Sequence, residues 1–353
     1  MANTIARRTY LTGGMGAHHE GESFGLDYEL PPDRAYSETC AGVGSIMVNY
    51  RLLLATGDPR YADLIERTLF NVVAVSPAED GRAFFYTNTL HQRVPGIPPS
   101  LIEASPRAAA SLRAPWFEVS CCPTNVARTI ASLGAYVATT DSAGVQIHQY
   151  VDSEVRAELD GGGAVTLKVS TGYPTTGRIR IEIVETPASE WELSLRVPAW
   201  ADRGATITVG AEQTEVTPGT TRLARVFAVG DVVELTLLVA PRWTWPDSRV
   251  DAVRGSVAVE RGPLVLCLES VDIPGNATVN EVRVVSAEAP NERDGVISVS
   301  AKLVDIPDTA WPYGHGEEPS VRNRAAAPIA LIPYYQWANR GSSTMRVWLP
   351  VAE

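Results

Sequence analysis

Three short stretches of this chain hold side chains whose types and spacing could do chemistry: Gly21-Glu22-Ser23-Phe24, Glu38-Thr39-Cys40 and Cys121-Cys122-Pro123. A fourth, Tyr334 to Arg340, concentrates aromatic, amide and guanidinium groups. Only four cysteines occur in 353 residues, which is no disulfide scaffold. Adjacent cysteines rarely pair with each other, because the ring that would close is strained. Glu38 and Cys40 lie two apart at an expected helix start, and Cys121 and Cys122 lie just before another. Backbone N–H groups and the dipole at a helix start favour a thiolate. Three sulfurs and a carboxylate would complete a tetrahedral zinc site. The spacing alone leaves a second reading open, in which the cysteines pack as small hydrophobes in a helical core.

The elements that would position these groups change character near residue 140. Before it the apolar spacing is helical. Val43, Ile46, Met47, Tyr50 and Leu54 share one face, and Gly57 suits the stop. Asp58 followed by Pro59 reads as an N-cap with proline at the first helical position, and Tyr61, Leu64, Ile65, Leu69, Val72 and Val73 follow inward. A third helix is expected from Pro123, with Val126, Ile130, Leu133 and Tyr136 or Val137 inward. Arg82 to Asn88 reads as a strand and Val94 to Pro115 as a long Pro-rich loop. After residue 140 the period is two. Strands are expected at 144–150, 164–170, 178–184, 191–197 and 232–239, as in a β-sandwich. A second strand block covers 255–260, 263–268, 282–285, 297–304, 329–332 and 344–349. The expected boundary between the blocks lies near 250.

Several motifs, taken together, resemble glycoside hydrolase family 127, the β-L-arabinofuranosidase family. They are Thr12 to Gly16 (TGGMG), Gly21 to Phe24 (GESF), Tyr28 to Pro31 (YELP) and Tyr36 to Ala41 (YSETCA). Cys121 to Asn125 (CCPTN), Arg261 to Pro263 (RGP) and Pro333 to Arg340 (PYYQWANR) complete the set. The resemblance runs from about Tyr10 to Trp348. It implies a zinc ion held by Glu38, Cys40, Cys121 and Cys122, with Cys121 also the nucleophile of a retaining double displacement. It implies Glu22 as general acid/base.

The family's catalytic domain is an (α/α)6 barrel, and about 140 residues leave room for only its last part. The expected fold class is therefore α+β and multidomain: an incomplete (α/α)6 barrel segment over 1–140, a β-sandwich over 141–250 and a second over 251–342. A strand at about 343–353 is a candidate to return to the first sandwich. The expected activity is hydrolysis of β-L-arabinofuranosides or related sugars, impaired in a truncated chain. The alternative is a noncatalytic zinc-containing carbohydrate-binding or assembly fragment. An open half-barrel implies a covering partner, either a second copy or the missing N-terminal half.

Other residues have plainer uses. Cys267 sits on an apolar strand and reads as core. His18 and His19 lie close enough to Glu22 in sequence to reach a sugar hydroxyl, and Tyr86 or Trp116 could stack on a sugar face or fill the core. His91, His148 and His315 carry no chemical signal of their own. The formal net charge of -11, with no Lys/Arg block, argues against nucleic acid. No stretch approaches the roughly 20 apolar residues of a membrane span. Residues 1–9 lack the apolar run of a signal peptide, so a cytoplasmic location is expected if Met1 is the true start.

Overall fold

The structure, a computed structural model, describes residues 2–107, 112–306, 322–323 and 325–352. His315 lies outside the described residues, as do positions 108–111 of the expected long loop. The chain forms two compact units: Met1–Gly42 with Phe70–Pro123 and Pro241–Glu353, and Val43–Leu69 with Thr124–Ala240. Its class is mixed α and β, with helices early and sheets after them.

In the second unit, strands alternate buried and exposed residues, so one face of each sheet is apolar. A four-stranded sheet runs Gly219–Arg225, Trp191–Val197, Gly144–Ile147, Ala138–Thr140. A six-stranded sheet runs Ser153–Glu158, Ala164–Thr171, Arg178–Glu185, Val232–Leu237, Ala205–Val209, Glu212–Glu215. Val145, Leu193 and Leu195 of the first sheet share one buried cluster with Leu167, Ile181 and Leu235 of the second. The helix Pro59–Thr68 is capped by the Asp58 carboxylate, which accepts from the Arg60 N–H. Its buried Glu66 accepts from Arg196 Nη2 at 2.5 Å, Tyr173 Oη at 2.6 Å and Trp200 Nε1 at 3.1 Å. Asp63 takes the other arm of Arg196 at 2.6 Å. A buried guanidinium is tolerable only because these acceptors meet it.

In the first unit, the second strand block and His91–Gln92 form one branched sheet of eleven strands among the described residues. Pro241–Thr244 pairs with Ser256–Arg261, so this block begins ahead of the expected position near 250. The last strands, Met345–Arg346 and Leu349–Pro350, pair inside the same sheet instead of returning to the earlier strands. Cys267 is buried there beside Tyr334, Trp337 and Val347, as expected for a core thiol.

The helical segment departs from expectation in three places. Arg82 to Asn88 is not a strand; it makes single bridges from Phe84 to Pro77 and Ala114 and from Thr87 to Glu38. Its residues pair with several partners in turn, which period-two alternation cannot distinguish from one continuous ladder. The third helix is Cys121–Ala131, so both cysteines lie inside its first turn and not before it. Leu54, Ile130 and Leu133, expected inward, are exposed. Helical periodicity specifies which residues share a face. It does not specify that another element covers that face.

Candidate metal and catalytic site

The helix Thr39–Thr56 begins where its backbone is locked to the irregular segment 84–88. Thr39 N–H donates to Tyr86 O at 3.1 Å, and Thr39 Oγ1 donates to Phe85 O at 3.1 Å. Asn88 Nδ2 donates to Ser37 O at 2.8 Å. These bonds fix Glu38 and Cys40 beside Tyr86. Ser37 itself stands at φ 36, the left-handed region that a serine adopts only when its surroundings hold it there. Gly14 presses against it. A Cβ at Gly14 would meet Ser37 Oγ at 1.9 Å, so this approach requires glycine.

The cysteine pair arrives from the other side. Phe84 and Ala114 exchange backbone hydrogen bonds at 3.0 Å. Buried Arg113 donates to Val75 O at 2.8 Å and Trp337 O at 2.8 Å, and its guanidinium lies 4.4 Å from the Phe85 ring centre. Burial lowers its pKa to about 10. The segment 112–117 is thus anchored, and Cys121–Ala131 starts immediately beyond it.

The outcome is a cluster. One ligand atom from each of Glu38, Cys40, Cys121 and Cys122 lies within 4.8 Å of all the others. Cys40 Sγ and Cys122 Sγ are 3.5 Å apart, and Cys121 Sγ stands 3.5 Å from Glu38 Oε1. A tetrahedral zinc with bonds of about 2.3 Å to sulfur and about 2.0 Å to oxygen needs S···S edges of about 3.8 Å and S···O edges of about 3.5 Å. The donor set therefore fits such an ion in number, type and spacing.

Without a cation the cluster is electrostatically awkward. Burial, together with the neighbouring Cys40, pushes the Cys121 thiol up to about 11. The hydrogen bond with Cys40 and then burial push Cys122 far above the ordinary thiol value. Bare, these groups stay protonated at neutral pH and are poor nucleophiles. Cys121 Sγ also reaches Tyr86 Oη at 3.5 Å.

Glu22 is not one of the four converging groups. It closes the 3-10 turn Glu20–Glu22 at φ 50, with its carboxylate accepting from Arg107 Nη1 at 2.6 Å. Burial first, and then the nearby carboxylates of Glu22 and Glu38, push the Tyr36 hydroxyl above the ordinary phenol value. His18 is occupied by Glu29 at 2.8 Å, and His19 packs edge-on against Tyr36 at 5.1 Å. Tyr86 is buried among Phe117, Tyr36 and the cysteines, so its ring is core and not a platform for a sugar. Trp116 is half exposed and edge-on to Phe84. Sequence reasoning missed Arg107 and Arg113. Neither lies in a motif that singles it out, and their partners are 85 and 224 residues away. Among the described residues no helix is long and apolar enough to cross a membrane.

Three domain models of one family match the chain in order. The model described as "Beta-L-arabinofuranosidase, GH127 catalytic domain" matches residues 1–135, the GH127 middle domain 144–239 and the glycoside hydrolase family 127 C-terminal domain 241–350. A non-reducing end β-L-arabinofuranosidase of Bifidobacterium longum subsp. longum is 33% identical, over 98% of this chain and 54% of its own length. The crystal structure of a GH127 β-L-arabinofuranosidase from Geobacillus stearothermophilus T6 superposes with a TM-score of 0.86 at 34% identity, over 99% of this chain and 55% of that one. A second GH127 β-arabinofuranosidase structure gives 0.84 at 33%, again over 99% and 55%. The chain spans about half the length of the relatives it matches. With all three domain models in sequence along it, the chain belongs to glycoside hydrolase family 127.

Proposed function

We propose that this chain carries the reacting centre of a zinc-dependent retaining glycosidase acting on β-L-arabinofuranosides or related sugars. The observation that carries the proposal is the convergence of Glu38, Cys40, Cys121 and Cys122 on one point. Zinc, when bound, supplies the positive charge that keeps three thiolates beside a carboxylate. Cys121 Sγ attacks the anomeric carbon, the bond to the leaving oxygen breaks, and Glu22 delivers its proton to that oxygen. Water then attacks the same carbon as Glu22 takes its proton, and the C–S bond breaks. Two displacements return the original anomeric configuration. Tyr86 holds Cys121 in place through the contact at 3.5 Å.

The domain reading that goes with this is the last part of an (α/α)6 barrel over 1–140, followed by two β-sandwiches over 141–250 and 251–342. The shared buried cluster of the four- and six-stranded sheets supports the first sandwich. Exposed Leu54 and Ile130 on the helices Thr39–Thr56 and Cys121–Ala131, at 56% and 57%, support an open helical part. An open site admits water and loosens the substrate, and misplacement by about 1 Å can cost around 10²-fold. Slow turnover by these residues alone is expected, with faster turnover once the part of a family 127 catalytic domain that they do not span is supplied.

The test follows a nitrophenyl β-L-arabinofuranoside over hours at micromolar protein. The expected product retains its anomeric configuration, Cys121→Ser removes turnover, and a glycosylated Cys121 is trapped by mass spectrometry. An inverted product would rule out the double displacement. The second reading is a noncatalytic zinc-containing carbohydrate-binding or assembly fragment. Zinc-dependent sugar binding without any turnover, with or without the complementing half, would select it.

A further inference from the structure

Arg113 is a charged side chain, buried to 6% exposure, whose hydrogen-bond acceptors among the described residues are all neutral. Nε and Nη2 donate to Val75 O at 3.0 and 2.8 Å. Nη1 donates to Trp337 O at 2.8 Å and Asn339 Oδ1 at 3.3 Å, and Nη2 reaches Tyr335 O at 3.3 Å. No carboxylate is among these partners. A guanidinium buried in this way costs more than an apolar side chain of similar size, so stability gives no reason for an arginine here. Geometry does. The fork ties its own segment to residue 75 and to the loop 335–339. Its plane lies 4.4 Å from the Phe85 ring centre, and Phe85 stacks on Trp337 at 5.0 Å.

Both ends of this tie are fixed. Buried Glu269 holds the loop, accepting from Ala338 N–H at 3.0 Å, Arg340 Nη2 at 2.6 Å and Ser343 Oγ at 2.6 Å. Those bonds keep Ala338 at φ 60, a left-handed conformation that an alanine does not adopt freely. Asn339 Oδ1 also accepts from Glu79 N–H at 3.2 Å. At the other end, Phe85 O accepts from Ser76 Oγ and Thr39 Oγ1, each at 3.1 Å. Tyr86 comes next. Its carbonyl oxygen stands 3.9 Å from Cys122 Sγ and its hydroxyl 3.5 Å from Cys121 Sγ. Beyond Arg113, Ala114 bonds to Phe84, and buried Phe117 packs on Tyr86 at 5.8 Å in one cluster with Cys122.

Resting on the metal-site reading above, we propose that Arg113 is a positioning residue for the cluster of Glu38, Cys40, Cys121 and Cys122. It carries the fixed geometry of the loop 335–339 to the two segments on which Tyr86 and the cysteine pair are mounted. The loop supplies no ligand; it supplies the frame. An arginine suits the task because its five N–H groups point in fixed directions within one plane, whereas a lysine ammonium is a point with rotatable donors. The motif Pro333 to Arg340 thereby gains a role. It lies in the match to the family's C-terminal domain, while all four candidate ligands lie in the match to the catalytic domain. Groups that orient ligands without touching the ion set metal affinity by about 10- to 100-fold.

The test uses the full chain and measures zinc affinity by competition with a chromophoric chelator. Arg113→Lys keeps the charge and loses the fork. Its zinc affinity should fall about tenfold, the lower end of that range because Arg113 acts through the backbone. Asn339→Ala removes one acceptor from the loop and should lower affinity in the same direction by less. Val299→Ala is the control: it lies in a separate buried cluster, so it should lower the melting temperature and leave zinc affinity unchanged. Cobalt supplies a second readout, since its visible bands report the angles between ligands. They should shift in Arg113→Lys and match the parent in Val299→Ala. Unchanged zinc affinity and an unchanged cobalt spectrum in Arg113→Lys would overturn the assignment. An equal zinc loss in Val299→Ala would overturn it too, by reducing the effect to general stability. If Arg113→Lys does not fold, Asn339→Ala decides by the same criteria. A parent that binds no zinc would instead overturn the metal-site reading.

Discussion

Replacing Cys40 by serine tests the proposed metal centre without altering the proposed nucleophile, Cys121. Cys40 is the ligand best suited to this because its sulfur faces Cys122 at 3.5 Å, whereas the contact to Glu38 is made by Cys121. Serine keeps the size and the helix start, where Thr39 remains locked to Phe85 and Tyr86. It removes one soft donor of four. Structural zinc sites bind with about 10–16 kcal/mol. An even share per ligand is about 3 kcal/mol, or roughly 100-fold in affinity, since a serine oxygen in this position remains protonated and binds weakly. The parent should retain about one zinc per chain through dialysis, as one four-ligand cluster predicts. The variant should lose it to a competing chelator at roughly 100-fold lower chelator strength. Cobalt substitution gives a second readout, because thiolate-to-cobalt absorption reports the number of sulfurs. A variant that holds zinc as tightly as the parent would refute the four-ligand arrangement. So would a parent that retains none.

Two further outcomes follow from the same geometry. Zinc affinity should fall steeply as the pH is lowered, because the bare thiols hold their protons at neutrality, Cys121 up to about 11, and binding must displace them. Each displaced proton contributes up to a tenfold loss per pH unit of acidification, so a competition titration between pH 8 and pH 6 should show a slope well above one; a flat profile would contradict thiolate ligation. Glu66→Ala strands the donors of Arg196, Tyr173 and Trp200 in the interior of the second unit. Breaking one partner of a buried ion pair costs about 3–5 kcal/mol, which lowers the melting temperature by on the order of 10 °C. A shift under about 2 °C in differential scanning calorimetry would show that the network contributes little.

What the sequence determined by itself was local pattern and chemical inventory. Period-two alternation located the strands 164–171, 178–185 and 191–197 almost to the residue, because one face of each had to be apolar. It passed over Ser153–Glu158 and Glu212–Glu215, which lie at a sheet edge and bury little. The Asp58-Pro59 cap was legible because capping is a contact between near neighbours. The motifs around Glu22, Glu38, Cys40 and Cys121 named the family and supplied the candidate reacting groups. The tertiary structure decided everything that depends on distance across the chain. Cys40 meets Cys122 across 82 residues, and Glu22 meets Arg107 across 85. Neither pairing leaves a local trace, since periodicity records which face a side chain occupies and not which element arrives to meet it. The same limit hid the irregular path of 84–88, whose backbone bonds to three different segments. Local composition fixes what each residue can do; only the packed chain decides what stands within about 3.5 Å of it.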